Sequence, residues 1–526
     1  MTGILKNLAH LTAHWALLAL VAMASACAVG PNYRAPRMDL PGAFAASQAA
    51  LAVKPANGAP AASGPATTVD PSAWWRSLGD PDLDALVARA IRSNPDIEIA
   101  LYRLQEARTQ EVVVLGGALP QADLSAGGGF GTGSNLARGR VGAPLNAATN
   151  SSGIQSVHWV AGLGASWELD LFGKYRRAIE ASRYDTQAAA EARSAVLIAV
   201  VADVVRTYLD MRGLQMELTV INQALDTAQR TVTFTQTRFQ GGFTNELDLA
   251  LAQRELGTLR SRVAPLAAQV SAAQNAIAVL LGQYPEAMAR QLQSLRAIPA
   301  IPPQVKAGLP LDLLRRRPDI RAAERQLAAA TARIGVATAD LFPHVGLGGG
   351  VGVQVPALAS SGRGGPIWSA GPLGLWNILD FGALDALVEI ADLRTREQLV
   401  AYRATVIRAV GEVDTAVTAY MAQRERLDSL GDALTASHRA VTLATDRYER
   451  GLNDFLNVLD AQRQEYDLED QYAEAQSATA DAFVALYKAL GGGWESYQSV
   501  PPIRRPKPAV IAAFARIFSG SENPQR

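Results

Sequence analysis

Between residues 157 and 171 the chain alternates. Odd positions Val157, Trp159, Ala161, Leu163, Ala165, Trp167, Leu169 and Leu171 are apolar, while even positions include His158, Gly162, Gly164, Ser166, Glu168 and Asp170. Residues 344–355 repeat the pattern, with Val345, Leu347, Val351, Val353 and Val355 set against His344 and a row of glycines. Period two with one apolar and one small or polar face predicts β-strands. Two weaker strands are predicted at about 121–131 and 367–378, and Pro372 in the last predicts a bulge or a swap of the exposed face. Tryptophans near strand ends fit a membrane-interface girdle. Loops rich in Gly, Ser and Asn, 132–156 and 356–366, separate the strands of each pair.

Elsewhere the pattern is helical. No proline occurs from Leu145 to Ala264, nor from Leu373 to Val500, and helix formers dominate both spans. Gly173 to Gly241 and Gly382 to Gly451 therefore predict two helices, each roughly 100 Å long. Ordinary soluble helices average about 11–12 residues, so these lengths imply coiled-coil packing or a large assembly. Shorter helices return from about Asn245 and Asn453. Helices over 92–118 and 315–341 are suited to fill the other half of each return.

The two halves are copies. RFQGGFTNELDLALAQ (238–253) and RYERGLNDFLNVLDAQ (447–462) share five of sixteen residues at an offset of 209. Trp167 with Phe172-Gly173 matches Trp376 with Phe381-Gly382 at the same offset, and Leu119-Pro120 matches Phe342-Pro343 at 223. The organisation is then a signal segment (1–26), an N-terminal linker (27–71), a first repeat (72–282), an equatorial connector (283–316), a second repeat (317–492) and a tail (493–526).

Charge narrows the function. Lys+Arg and Asp+Glu both total 49, so nothing favours nucleic acid. One Cys excludes a disulfide framework or a thiolate zinc site within a chain. His158, His344 and His438 are scattered, with no spacing that suggests a catalytic or metal site, so no enzyme activity, cofactor or metal is expected. Lys6, the apolar run from Trp15 to Met23 and the small residues before Cys27 make a secretory signal. Ala24-Ser25-Ala26-Cys27 resembles the bacterial lipobox, with Ala24 where Leu is usual. That resemblance implies cleavage before Cys27 and its lipidation. Ala28, where Asp would retain a lipoprotein at the inner membrane, points to the outer membrane. No later stretch approaches 18 uninterrupted apolar residues, so a membrane crossing must be a β-barrel.

Four strands cannot close a barrel, and an open edge in lipid leaves backbone groups unpaired at several kcal/mol each. Two copies give about eight strands and a filled interior, whereas three give twelve and a pore; counting favours three or more.

At this point a family likeness is visible. CAVGPNYRAP (27–36), WWRSLGDPDLDALVARAIRSNPDI (74–97), WELDLFGKYRRAIEAS (167–182), AGLPLDLLRRRPDIRAAE (307–324), LFPHVGLGGG (341–350) and RYERGLNDFLNVLDAQR (447–463) resemble the outer-membrane factors of tripartite efflux pumps, in the TolC-like, NodT-type lipoprotein group. The resemblance implies an α+β membrane protein: a homotrimer with a 12-stranded outer-membrane β-barrel continuous with a periplasmic α-helical barrel, belted midway. It implies docking to a periplasmic adaptor protein and an inner-membrane efflux transporter of the resistance-nodulation type, with export of small molecules such as drugs or toxic compounds. It assigns Gly242, Phe243, Gly451 and Leu452 to adaptor-docking tips. It also places Leu456, Asp460 and Arg463 at a periplasmic gate, with Arg463 pairing across subunits in the closed state. Leu456 and Asp460, four apart, share a helix face. Two other readings remain open: a type I secretion conduit, and a lipid-anchored periplasmic coiled-coil scaffold without a pore.

Overall fold

The computed structural model describes residues 28–39, 41–44, 70–131, 156–302, 316–356 and 365–495, with backbone alone at 128–131, 156–160, 289 and 354–356. The signal segment, Cys27, the linker over 45–69 and the tail after 495 lie outside the described residues. A 3-10 helix (Pro71–Leu78) leads into α1 (Pro81–Ser93), α2 (Pro95–Gly117), strands β1 (Gln121–Gly131) and β2 (Ser156–Leu169), then α3 (Lys174–Gln240) and α4 (Glu246–Leu280). After the short α5 (Glu286–Ala289) come α6 (Pro318–Ala339), β3 (His344–Pro356), β4 (Gly365–Leu375), α7 (Ala383–Glu449) and α8 (Phe455–Ala489). The helix expected over 92–118 is divided. Asn94 ends α1 and caps α2, its Oδ1 accepting from the amides of Asp96 (2.8 Å) and Ile97 (3.2 Å), with Pro95 at the first helical position.

Helices α3 and α7 each run 67 residues, roughly 100 Å. Each starts after a left-handed glycine, Gly173 and Gly382, both at φ 84°. An aspartate just upstream supplies the missing cap. Asp170 accepts from the amides of Tyr175 (3.2 Å) and Arg176 (2.9 Å), and Asp380 from those of Gly382 (3.1 Å) and Leu384 (2.9 Å).

The four strands form one antiparallel sheet in the order β1-β2-β3-β4. Leu124, Leu163, Val351 and Trp368 stand directly opposite one another on a single rung across all four strands. All four are exposed, Leu124 by 75% and Trp368 by 76%, which a water-facing sheet would not allow. The opposite face is small: Gly162 pairs with Gly352, and Gly164 with Gly350. A Cβ on Gly352 would lie 2.7 Å from the Ala161 carbonyl oxygen, so glycine is required where the sheet's inner face is this tight. The bulge or face swap expected at Pro372 does not occur. The β3–β4 register is unbroken from His344↔Leu375 to Gln354↔Gly365, and Pro372 stays on the exposed face of an edge strand, where a missing ladder donor is tolerated.

The repeat extends to side chains. Trp167 Nε1 donates to the Ala118 carbonyl at 3.0 Å, and its counterpart Trp376 donates to the Leu341 carbonyl at 3.2 Å. Each indole thus ties a strand end to the helix–strand corner of its own half.

Helix order follows strand order. In the half nearer the sheet, α3 packs between α2 and α6, and α6 packs against α7. In the far half, α4 packs on α3, and α8 lies between α3 and α7. The main core sits where these halves meet. Trp74 stacks on Tyr487 with centroids 5.3 Å apart and meets Phe483 edge-on, while Leu83, Leu86, Met288, Leu292 and Trp494 complete a belt around α3 and α8. By length and composition alone α4 would be apolar enough to cross a membrane, and only 17% of its most apolar stretch is buried. It lies along the charged α3, so its bare stripe is an unpaired edge of the helical layer rather than a span. Pro265 sits within α4 on its exposed side, where the lost backbone bond does not disturb the contact with α3.

Candidate functional site

At the end remote from the sheet, two helical hairpins turn in the same way. Gly242 (φ 73°) and Gly451 (φ 72°) adopt the left-handed conformation that ends α3 and α7. The amides of Phe243 and Leu452 then reach back five residues, to the Arg238 and Arg447 carbonyls, each at 2.9 Å. This closure needs glycine and leaves the next side chain outside. Phe243 is 76% exposed and Leu452 63%.

Behind the turns lies a small core of Val232, Ala252, Tyr448, Phe455, Val458 and Leu459. Arg238 spans the Tyr448 ring at 5.0 Å. This core fixes the start of α8 and so the direction in which its other face points. Leu456 and Asp460 are on that face, and both are exposed. Asp460 accepts from Gln464 Nε2 at 2.8 Å, one turn along the same helix.

Arg463 already has a partner within the chain. Its guanidinium grips Glu255 of α4 in its own chain, Nε to Oε2 at 2.6 Å and Nη2 to Oε2 at 2.5 Å. A second strut lies one turn further, where Arg262 of α4 donates to the Tyr466 hydroxyl at 3.1 Å. A cleft of about 200 Å³ between α3, α4 and α8 is lined by Gln223, Thr227, Glu255, Arg463 and Glu469. Burial, then the neighbouring Glu465, raises the Glu469 carboxyl above its usual range. The arrangement holds charges and apolar groups at a helical end and makes no nucleophile or acid–base pair. Among the described residues no group of three His, Cys, Asp or Glu side chains is set to hold a metal ion.

A sequence model of the outer membrane efflux protein family matches residues 86–283 and 309–492, one block in each repeat. The chain belongs to the outer membrane efflux protein family. It is 32% identical over 502 residues to Nodulation protein T of Rhizobium leguminosarum bv. viciae, covering 94% of this chain and 96% of that one. It is 31% identical over 445 residues to the pyoverdine export outer membrane protein OpmQ of Pseudomonas aeruginosa, covering 83% and 90%. Among solved structures, the outer-membrane channel OprN matches with a TM-score of 0.75 and 34% identity, over 90% of this chain and all of that one. This efflux protein is thus an outer-membrane channel component. Its four strands are a share of a barrel wall, and its helices continue that wall.

A further element of the efflux protein lies within the N-terminal linker, whose contacts the sequence did not show. Residues 28–39 and 41–44 belong to a strap that runs from the sheet corner to the belt. The Val29 amide donates to the Phe172 carbonyl at 3.0 Å. Arg177 of α3, only 4% exposed, donates to the carbonyls of Val29 and Gly30, both at 3.1 Å, and to Asn32 Oδ1 at 2.8 Å. Gly335 of α6 lets the strap lie flat, since a Cβ there would sit 2.9 Å from the Val29 oxygen. Tyr33 donates to Glu324 of α6 at 3.1 Å, and Phe44 ends in the belt core. Cys27 lies outside the described residues, one position before Ala28, which rests against Gly173 at the sheet corner. Hydrogen bonds from a charged donor are worth about 1.5–3 kcal/mol each, so Arg177→Met should free the strap. Trypsin is then expected to cut after Arg34 and Arg37 much faster than in the wild type; an unchanged rate would remove the clamp assignment.

Proposed function

We propose that three copies of this efflux protein close into one tube. A 12-stranded barrel crosses the outer membrane and a 12-helix barrel reaches through the periplasm to an adaptor protein and an inner-membrane pump of the resistance-nodulation type. Small molecules leave through the bore.

The observation that carries this reading is the pair of open edges. Strand β1 and helix α2 form one flank; β4 and α7 form the other. Both helices show uncovered apolar residues there, Val112 and Val113 on α2, and Leu393, Val400 and Ile407 on α7. Strand edges meet strand edges only if the same flank-to-flank contact repeats around a ring, a head-to-tail interface that closes by rotation. Twelve strands leave a bore where eight would be filled. The pyoverdine export role named for OpmQ supports small-molecule export over protein secretion.

Cys27, ahead of a strap pinned at the sheet corner, is the anchor: its lipid would enter the leaflet facing the periplasm. Phe243 and Leu452 are the adaptor-docking contacts with Gly242 and Gly451, and Leu456, Asp460 and Arg463 form the entrance gate. The test is the full chain in detergent. Heat-resistant trimers and stepwise ion conductance in planar bilayers are expected, and Phe243→Asp with Leu452→Asp should abolish cross-linking to the adaptor while trimers persist. A monodisperse monomer in detergent-free buffer would overturn the reading.

A further inference from the structure

The seam between α3 and α8 carries a charge pattern that channel assembly leaves unexplained. Asp203, Asp210 and Glu217 follow at heptad spacing on α3, facing Lys488, Asp481 and Glu474 on the antiparallel α8. The first rung is an ion pair, Lys488 Nζ to Asp203 Oδ1 at 3.4 Å. The second sets like against like: Asp210 faces Asp481, whose buried Oδ1 finds no partner while both carboxyls are ionised. The third brings Glu217 near Glu474 and Asp470. Between the two acid rungs the helices cross closely. A Cβ on Gly213 would lie 3.1 Å from the Ser477 Cβ and closer still to its hydroxyl. The Gly213–Ser477 crossing therefore fixes both rungs and prevents the acids from spreading apart.

A carboxylate has no donor, so a hydrogen bond between two carboxyls requires one proton. Burial, followed by the Asp210 charge, pushes Asp481 up to about 7, and burial raises Asp210 as well. Burial, followed by Asp470 and Glu474, pushes Glu217 up to about 7. Arg206 of α3 is the cation that both aspartates feel. From α4, Arg262 stands 3.8 Å from Asp470. From α7, Gln423 and Arg424 lie at this height, the latter 4.0 Å from Asp428.

We infer that the α3–α8 seam is a proton-controlled clamp: a proton shared by Asp210 and Asp481 holds α8 against α3, and its loss frees α8 to move the entrance at its other end. Only the link to the entrance rests on the channel reading. The direction follows from proton linkage. The folded chain keeps protons that unfolded aspartates release, so the clamp's contribution is full below about pH 4 and is lost as pH rises through about 7.

The full-length trimer in detergent is melted between about pH 6 and pH 8, spanning the titration, with conductance recorded at both ends. In the wild type the melting midpoint should fall by roughly 2 °C or more over this range, and conductance should rise. In Asp481→Asn the amide supplies a permanent donor to Asp210, so both slopes should flatten. A variant that keeps the wild-type melting slope overturns the inference. If the melting slope flattens and the conductance slope does not, the link to the entrance is overturned. Should Asp481→Asn not assemble, Asp210→Asn makes the same test from the other side. A wild type that conducts nothing counts against the channel reading, while the melting slopes still decide the clamp.

Discussion

Val351→Arg should abolish delivery of the protein to the outer membrane as a heat-resistant trimer. Val351 is 59% exposed and stands on the rung that joins Leu124, Leu163 and Trp368. If that face meets lipid, an arginine at mid-depth costs about 2–4 kcal/mol in each chain, and a trimer bears it three times over. Set against a net stability of only about 5–15 kcal/mol for a typical domain, this is decisive. Ser166→Arg is the control. It lies on the opposite face, paired with Gly348, where a water-filled bore would hydrate the charge. Membrane fractionation and a gel without boiling read both variants. Wild-type trimer levels in Val351→Arg would refute the lipid-facing assignment.

Asp460→Ala combined with Arg463→Ala should raise single-channel conductance several-fold. The Arg463–Glu255 pair ties α8 to α4, and the side chain of Glu255 is only 16% exposed while that of Arg463 is 36% exposed. Breaking a partly buried pair leaves Glu255 poorly solvated, so the helices gain by separating; the cost of a fully buried break, about 3–5 kcal/mol, is an upper bound here. Removing Asp460 takes away the exposed carboxylate beside it. The parts are separable. Glu255→Gln alone should reproduce the Arg463→Ala increase, since both release the same strut, while Asp460→Ala alone should mainly lower preference for cations. Conductance unchanged in the double variant would remove the gate assignment.

What could be read from the chain was what repeats locally. Period-two alternation located β2 and β3 because one face is apolar along the whole strand. The two copies located the turns, since Gly242 and Gly451 answer to a conformation that other residues resist. Pro372 misled for an understandable reason: proline disrupts a ladder only where its missing donor faces a partner, and β4 is an edge of the chain's own sheet. Arg463 was named from the family likeness, but its partner within the chain was not legible. Glu255 lies 208 residues away on another helix, and no pattern in either helix announces the other. The same holds for Arg177 and the strap, and for Asp210 facing Asp481. Asp170 and Asp380 were within reach, because an acid shortly before a left-handed glycine at a helix start is a local signal.

Because α3 and α7 pass unbroken from the sheet corner to the far hairpins, each behaves as a rigid lever whose fulcrum is the aromatic belt. From Tyr208 at that belt to Gln240 at the helix end the arm is roughly 48 Å. Swinging it by about 5° displaces its end by roughly 4 Å, about three-quarters of one helical pitch. If three such levers line one bore, a small tilt at mid-height, too slight to disturb the stacked rings, would be magnified into a change of width at its far end.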